Sequence, residues 1–224
     1  MNAAPPVIPY GCAAVPPRLD AVRCAHPQPG RKLRLRDGGE ELAEPPAPGS
    51  APLAALAERL AALCDPWATA PRRFLARYVA LITATIAERA DELAARLARF
   101  GDLYRIEDFA FSALRPLPRA HVRRADGSGW IAVDFGFWSG DAVITLEVAD
   151  ARRTARRRAA EHAALQEAGA IVVALAPALL DSETAVLAGQ LPAPLRDFLD
   201  GETLPGSPFA AGALGDIVDR AWEP

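Results

Sequence analysis

Two carboxylates, Asp134 and Glu147, lie in a stretch of sequence that predicts a β-hairpin. Gly140 and Asp141 suit a two-residue hairpin loop, because both residue types tolerate positive φ. Counting back from this turn places Asp134 directly opposite Glu147 on one face. Like charges in this position destabilise a β-ribbon, and a divalent cation that prefers oxygen ligands would offset the repulsion. The spacing therefore predicts a metal site, and the alternative is a solvated face on which the two carboxylates splay apart.

The apolar residues of this hairpin predict its register. On one side the predicted pairs are Phe137 with Ile144, Phe135 with Leu146, and Val133 with Val148. On the other side they are Trp138 with Val143, Gly136 with Thr145, and Asp134 with Glu147. A register shifted by one residue would put Phe135 and Phe137 opposite polar-face positions and is disfavoured.

The composition is that of a chain that can bury a core. It has 224 residues, 51% of them hydrophobic, and a formal net charge of −3. This charge argues against a surface wholly devoted to nucleic acid but allows a local basic patch. Of the 25 basic residues, only Lys32 is a lysine. Three cysteines without a secretory signal predict reduced thiols and a cytoplasmic protein, and charged residues interrupt every apolar window, so no membrane span is expected.

The N-terminal residues, 1–51, are rich in proline, glycine and alanine, and prolines this frequent exclude a helix and most strand pairing. We expect an extended arm that is either disordered or laid along the domain or a partner, with one short strand over 31–36. Cys12, Cys24 and His26 lie in this arm. Their C-x₁₁-C-x-H spacing is a poor zinc pattern, because it is one ligand short.

Residues 52–200 are expected to form one domain, followed by a C-terminal tail over 201–224. Apolar spacing predicts helices over 52–64 and from about 70 to 100. Further on, the predicted elements are strands over 120–124, 130–138 and 142–149, a helix that ends at Gly169, a strand over 170–176 buried on both faces, and a short helix over 192–199. A crossover of this length makes the last strand parallel to its neighbour. The predicted fold class is α/β (mixed α+β): a central mixed sheet of three antiparallel strands plus one parallel strand after a crossover helix, flanked by helices.

Five arginines crowd the first half of the helix that follows the hairpin. They are Arg152, Arg153, Arg156, Arg157 and Arg158. In one interpretation the first four contact nucleic-acid phosphates beside the carboxylates. In the other they form a solvated helix face that is paired with acids such as Glu161. Cations at a helix N-terminus oppose the macrodipole, which slightly favours an external anion, and both interpretations stay open.

The order of elements and several short motifs resemble the PD-(D/E)xK superfamily of restriction-endonuclease-like proteins, nearest to its DUF559 and very-short-patch-repair-like branch. The matching residues are Val133-Asp134-Phe135, Leu146-Glu147-Val148, and then Arg158, Leu165, Gly169 and Val172-Val173. The resemblance covers about residues 103–176. It implies that Asp134 and Glu147 are catalytic and that, with the carbonyl of Val148, they hold Mg²⁺ for phosphodiester hydrolysis.

Two positions depart from the pattern of that family. Its lysine would stand two residues after Glu147, where this chain has Ala149, and Lys32 belongs to the distant arm. The histidine of the repair-endonuclease branch has no counterpart after the glutamate, since His162 falls inside the following helix. Loss of one group that stabilises transition-state charge costs roughly 10²–10³ in rate. We therefore expect a nuclease-like protein that is weakly active or inactive on DNA.

A second class of function stays open from the sequence. The chain would then be a non-catalytic interaction subunit of a larger bacterial protein assembly, attached through the N-terminal arm. The partners considered are DNA, a protein bound through the arm, and a second copy of the chain in a homodimer, with no membrane. A third and weaker interpretation is an enzyme that uses the carboxylates as acid and base. No Ser-His-Asp, Cys-His or Gly-rich phosphate motif supports a more specific alternative.

Overall fold

Two sheets organise the computed structural model, which describes residues 6–15, 19–38, 41, 51–148, 155–199 and 204–205. The N-terminal arm forms a small antiparallel sheet from β1 (Ile8–Tyr10) and β2 (Arg23–Ala25). The central sheet has the order β3-β4-β5-β6, and its strands are β3 (Leu117–Arg123), β4 (Trp130–Trp138), β5 (Val143–Val148) and β6 (Ile171–Leu175). The first three are antiparallel and β6 lies parallel to β5. The predicted fold class, a mixed sheet flanked by helices, is confirmed.

The described helices surround this sheet. They are α1 (Pro52–Ala62), α2 (Thr69–Glu88), α3 (Ala90–Leu97), α4 (Ala155–Glu167), α5 (Thr184–Gln190) and α6 (Ala193–Arg196). The prediction of one helix from about 70 to 100 is wrong, because Arg89 leaves helical geometry with φ −110° and ψ 16° and separates α2 from α3. Its guanidinium binds Glu92 in the first turn of α3. No helix in these described ranges has both the length and the apolar character needed to cross a bilayer.

The larger core cluster lies between the sheet and α2. Phe74 packs on Phe135 with ring centroids 5.1 Å apart, and Tyr78 meets Phe137 edge-on at 5.7 Å. The buried Tyr78 hydroxyl donates to the carbonyl of Leu114 at 3.0 Å, so its polar end is satisfied. These contacts hold α2 on the face of the hairpin that carries the phenylalanines.

The N-terminal arm covers the opposite face of the sheet. Its residues Ile8, Tyr10 and Ala25 are buried in a second cluster, whose other members are Leu117, Ala120, Val122, Ile131, Val133, Leu165 and Ala170. Of the alternatives for the arm, the described part is laid along its own domain. The predictions for 1–5, 16–18, 39–40, 42–50 and most of the tail over 201–224 concern positions outside the described residues.

Two expectations about strands are wrong. The predicted strand over 31–36 is a single bridge between Arg34 and Leu114, followed by a 3₁₀ turn over Leu35–Asp37. Asp37 stabilises this turn, because its carboxylate accepts the Arg34 N–H at 2.9 Å. The strand over 170–176 is not buried on both faces, since Ile171 is 44% exposed. Ala174 is exposed as well, and β6 is the edge strand of the described sheet.

Candidate active site

The β4–β5 hairpin carries both candidate carboxylates, and much of its predicted register is confirmed. The observed pairs are Phe135 with Leu146, Gly136 with Thr145, Phe137 with Ile144, and Trp138 with Val143. The turn closes through the Ser139 N–H, which donates to the carbonyl of Ala142 at 3.1 Å. The predicted turn and its apolar pairs therefore set the position of everything that follows.

The regular backbone pairing between β4 and β5 ends before Asp134. In a regular continuation Asp134 would pair with Glu147, and Val133 with Val148, but the observed pairing stops at Phe135 and Leu146. The Val148 N–H instead donates to the Asp134 carboxylate at 2.8 Å. A side-chain oxygen thus occupies the place where a strand carbonyl would accept. This bond brings the Asp134 carboxylate to the backbone of the residue that follows Glu147.

Side-chain alternation on β4 changes at the same position. Phe135 and Phe137 belong to the larger cluster, whereas Ile131 and Val133 belong to the cluster under the arm. Residues two apart normally share a face, so the alternation is interrupted between Val133 and Phe135. The prediction that Val133 lies on the side of the two phenylalanines is wrong for this reason. At this interruption, the Asp134 side chain is directed towards β5, where its carboxylate accepts the Val148 N–H.

The neighbouring strand β3 is distorted beside Asp134. Its register pairs Pro118 with Phe135 and Ala120 with Val133, so Arg119 lies across from Asp134, and this pair is missing from the ladder. Arg119 has φ 50° and is the only non-glycine residue with positive φ in the described part of the chain. This left-handed conformation costs an L-residue about 1–2 kcal/mol. Sequence reasoning missed Arg119, because neither a glycine nor an asparagine marks the position.

The Arg119 side chain is a half-buried cation on the strand beside Asp134. Burial raises the pKa of the Cys64 thiol to about 11; the charge of Asp134 also raises it, and those of Arg72 and Arg119 lower it. Strained backbone conformations such as that of Arg119 cluster at functional sites.

Glu147 is held by a histidine from the crossover helix. Its side chain is buried, and its Oε2 lies 3.0 Å from Nε2 of His162 on α4. The sequence placed His162 inside a helix with no role in the site, and the structure brings it to the carboxylate. The sequence did indicate that α4 connects two parallel strands and therefore packs against the sheet near β5. The weak apolar pattern of α4 did not indicate which helix face would contact the sheet, so His162 could not be assigned to the site.

The predicted nucleic-acid contacts are only partly described. Arg152 and Arg153, like Ala149, lie outside the described residues. Arg156 is exposed, and Arg157 is paired with Glu161 through a 2.9 Å contact between Nε and Oε1. For Arg157 the structure therefore favours the solvated helix face. The expected phosphate contact from this helix stays a prediction.

The donor chemistry of the site fits Mg²⁺. The described residues contain no group of three or more His, Cys, Asp or Glu side chains arranged to hold a metal ion. Asp134, Glu147 and the carbonyl of Val148 are nevertheless hard oxygen donors on adjacent backbone. Mg²⁺ is commonly bound through one or two carboxylates, with water and substrate phosphates completing its shell. Two carboxylates and one carbonyl are thus sufficient in type and number.

The comparisons with known proteins give no family for this chain. It matches no protein-family model, no curated protein and no solved structure. A functional assignment must therefore rest on the geometry of the site itself.

Proposed function

We propose that this protein is a nuclease-like, Mg²⁺-binding protein that contacts DNA phosphodiesters and cleaves them weakly or not at all. The observation that carries this proposal is the hydrogen bond between Asp134 and the Val148 N–H, which joins the two carboxylate-bearing strands at one point. The surrounding order of hairpin, crossover helix and parallel strand agrees with the PD-(D/E)xK core that the sequence resembles.

The residues of the site divide the chemistry between them. Asp134, Glu147 and the Val148 carbonyl would hold the ion, which when bound supplies a Lewis acid that polarises a phosphoryl oxygen and lowers the pKa of a bound water. His162 fixes the orientation of Glu147 through Nε2, as a supporting hydrogen bond commonly does for a ligating carboxylate. The site contains no lysine to assist the reacting water.

Arg119 takes over part of the role of that lysine. Its backbone lies across from Asp134 in the register of β3 and β4, and its guanidinium would offer positive charge to a phosphate oxygen. Arginine is well suited to phosphate because it donates in a planar fork. A guanidinium stays protonated at neutral pH and cannot act as a base. The site can therefore stabilise charge but lacks a strong proton acceptor in the lysine position, which explains the expected low activity.

Plasmid nicking tests this proposal. Supercoiled DNA is incubated with Mg²⁺ or Mn²⁺ and with wild type, Glu147→Gln, or Asp141→Asn as the control. Asp141 lies in the hairpin turn and is exposed, so its loss removes a carboxylate without touching the site. Slow, metal-dependent nicking that Glu147→Gln abolishes and Asp141→Asn preserves is the expected result. Equal nicking by wild type and Glu147→Gln would rule out the site as its source.

One observation favours the alternative of a non-catalytic interaction subunit. Both carboxylates already have protein partners, the Val148 N–H for Asp134 and His162 for Glu147. They would then serve to lock the sheet and α4 together. Attachment through the arm gains no support from its described part, because Ile8 and Tyr10 are buried against the sheet of the same chain. In this alternative, neither metal binding nor nicking is observed and Glu147→Gln mainly lowers stability.

A further inference from the structure

A thiol of the N-terminal arm contacts a buried histidine of the central sheet. Cys12 Sγ lies 3.9 Å from Nδ1 of His121, although the two residues are 109 positions apart in the chain. His121 is only 4% exposed, whereas Cys12 is partly exposed. The sequence spacing groups Cys12 with Cys24 and His26, and the structure instead pairs it with His121. Tertiary structure has therefore brought together two side chains that can both bind a metal ion.

The backbone on both sides fixes the positions of this pair. His121 lies in β3, where it pairs with Ala132 of β4. Gly11 has φ 72°, a conformation that favours glycine, and its N–H donates to the carbonyl of Pro118 at 2.8 Å. This hydrogen bond anchors the arm to β3 one residue before Cys12. The two donor atoms are therefore held together by the fold before any ligand binds.

The distance between the two donor atoms suits a shared metal ion. Bonds of about 2.3 Å to sulfur and about 2.0–2.1 Å to nitrogen are typical of a protein-bound metal of the size of Zn²⁺. With the donors 3.9 Å apart, bonds of those lengths would meet at the ion with an angle of about 125–130°. This angle is close to trigonal, so a third ligand from solvent would complete the shell. Neither donor atom has to move for an ion to bind.

The type and number of ligands favour a soft ion over Zn²⁺. A thiolate is a soft ligand that selects Cu(I), and imidazole binds copper as well. Structural Zn²⁺ sites almost always have four ligands. Among the described residues, no third His, Cys, Asp or Glu side chain joins Cys12 and His121 in a metal-binding group. Two protein ligands and one solvent ligand are therefore a better match for Cu(I).

The charges around the pair also favour a monovalent ion. Burial raises the pKa of the Cys12 thiol, and the charge of Arg119 opposes this rise. Burial lowers the pKa of His121, hydrogen bonds with the backbone of Arg119 and Pro9 raise it, and the charge of Arg119 lowers it further. The imidazole is thus favoured in the neutral form that binds metals. A thiolate with a monovalent ion is neutral overall, whereas a divalent ion would leave a net positive charge that Arg119 repels.

We propose that Cys12 and His121 form a binding site for Cu(I), a soft monovalent metal ion. Binding forms one bond from the ion to Sγ and one to Nδ1, and the thiol proton is released to solvent. The ion keeps its oxidation state, so no oxidant or reductant takes part. Because the ion would join the arm to β3, its binding should stabilise the folded chain. Asp134 and Glu147 have no role in this site, so the proposal stands independently of the proposed function.

Anaerobic competition with a chromophoric Cu(I) chelator tests the proposal on the full chain. Wild type is compared with Cys12→Ser and His121→Gln, and with Cys24→Ser as the matched control. Cys24 is partly exposed like Cys12 and belongs to the same arm, but its thiol donates to the carbonyl of Leu19 at 3.7 Å. Wild type and Cys24→Ser should each bind about one ion per chain. Cys12→Ser and His121→Gln should each lose at least about tenfold in affinity, because even a contact that only supports a metal ligand is worth that much.

X-ray absorption at the copper edge identifies the donor atoms directly. The proposed site predicts both sulfur and nitrogen neighbours of the ion in wild type, and a shell of sulfur alone would overturn it. Thermal melting without metal checks that the variants fold. If His121→Gln does not fold, Cys12→Ser and the absorption spectrum of wild type decide the question.

Two results of the competition experiment would also overturn the proposal. Equal Cu(I) affinity of wild type and Cys12→Ser would mean that the 3.9 Å contact is only a hydrogen bond between thiol and imidazole. A loss in Cys24→Ser as large as that in Cys12→Ser would place the ion between two thiols instead. Asp134→Asn should bind Cu(I) like wild type, so that the outcome for this site is separate from that for the carboxylate site.

Discussion

Arg119→Gly should be more stable than Arg119→Ala, and both substitutions should lower function. The backbone of Arg119 has φ 50° inside strand β3. Glycine adopts this conformation without strain, whereas a residue with a Cβ is strained in it. Arg119→Gly removes the strain and the cation together. Arg119→Ala removes the cation and keeps the strain. Comparing the two variants isolates the backbone contribution from that of the charge.

The expected stability difference between Arg119→Gly and Arg119→Ala follows from two opposing contributions. The left-handed conformation costs a residue with a Cβ about 1–2 kcal/mol, and glycine in a strand costs about 0.5–1 kcal/mol relative to alanine. Arg119→Gly should therefore be more stable than Arg119→Ala by about 0–1.5 kcal/mol, with a midpoint of about 0.75 kcal/mol. For a chain of this size the midpoint raises Tm by about 1.5–3 °C.

Arg123 provides the matched control on the same strand. It is exposed and lacks the positive φ of Arg119, so Arg123→Gly should be less stable than Arg123→Ala by about 0.5–1 kcal/mol. The four variants are compared by urea unfolding at one pH. An alanine variant more stable than its glycine counterpart at both positions would refute the strained geometry at Arg119. If nicking is detected in wild type, both Arg119 variants should also lower its rate by about 10²–10³.

Three further substitutions test the sheet and its polar contacts. Gly136→Ala should destabilise by about 1–3 kcal/mol in urea, because its Cβ would lie 2.9 Å from that of Ala120; an unchanged midpoint would contradict this packing. Glu41→Ala should lower the free energy of unfolding by about 3–5 kcal/mol, since it leaves the buried Arg115 guanidinium without its carboxylate. A decrease under about 1 kcal/mol, the value of a surface ion pair, would contradict a stabilising buried pair. Burial lowers the pKa of His121 below 6.5, so the unfolded chain protonates first and stability falls as pH drops below about 6.5; His121→Gln should flatten this decline, and an unaltered pH profile would exclude His121 as its source.

The sheet was accessible from the sequence because its signals are local and agree with one another. A turn dipeptide and the apolar pairs Phe135–Leu146 and Phe137–Ile144 define one hairpin register. A crossover of helical length then permits only a parallel strand beside it. The break at Arg89 was not accessible, because a helix of the same apolar period can be continuous or divided at a single residue.

The decisive site contacts were hidden because they depend on tertiary geometry. The acceptor of the Val148 N–H was expected to be a strand carbonyl, and the opening of the ladder at Asp134 has no signature in residue types. The positive φ of Arg119 is imposed by its surroundings on a residue that does not favour it. His162 reaches Glu147 only because of the rotation of α4 about its own axis, which its many alanines and arginines leave undetermined by periodicity.

Calorimetric titration with Mg²⁺ and Mn²⁺ tests the central claim most directly. Asp134→Asn is the informative variant, because an amide oxygen still accepts the Val148 N–H while the negative charge is lost, and Asp141→Asn is its control. The proposed site predicts binding of about one ion by wild type and by Asp141→Asn, and weaker or no binding by Asp134→Asn. Absence of binding to wild type, or equal binding by wild type and Asp134→Asn, would contradict a metal site at Asp134 and Glu147.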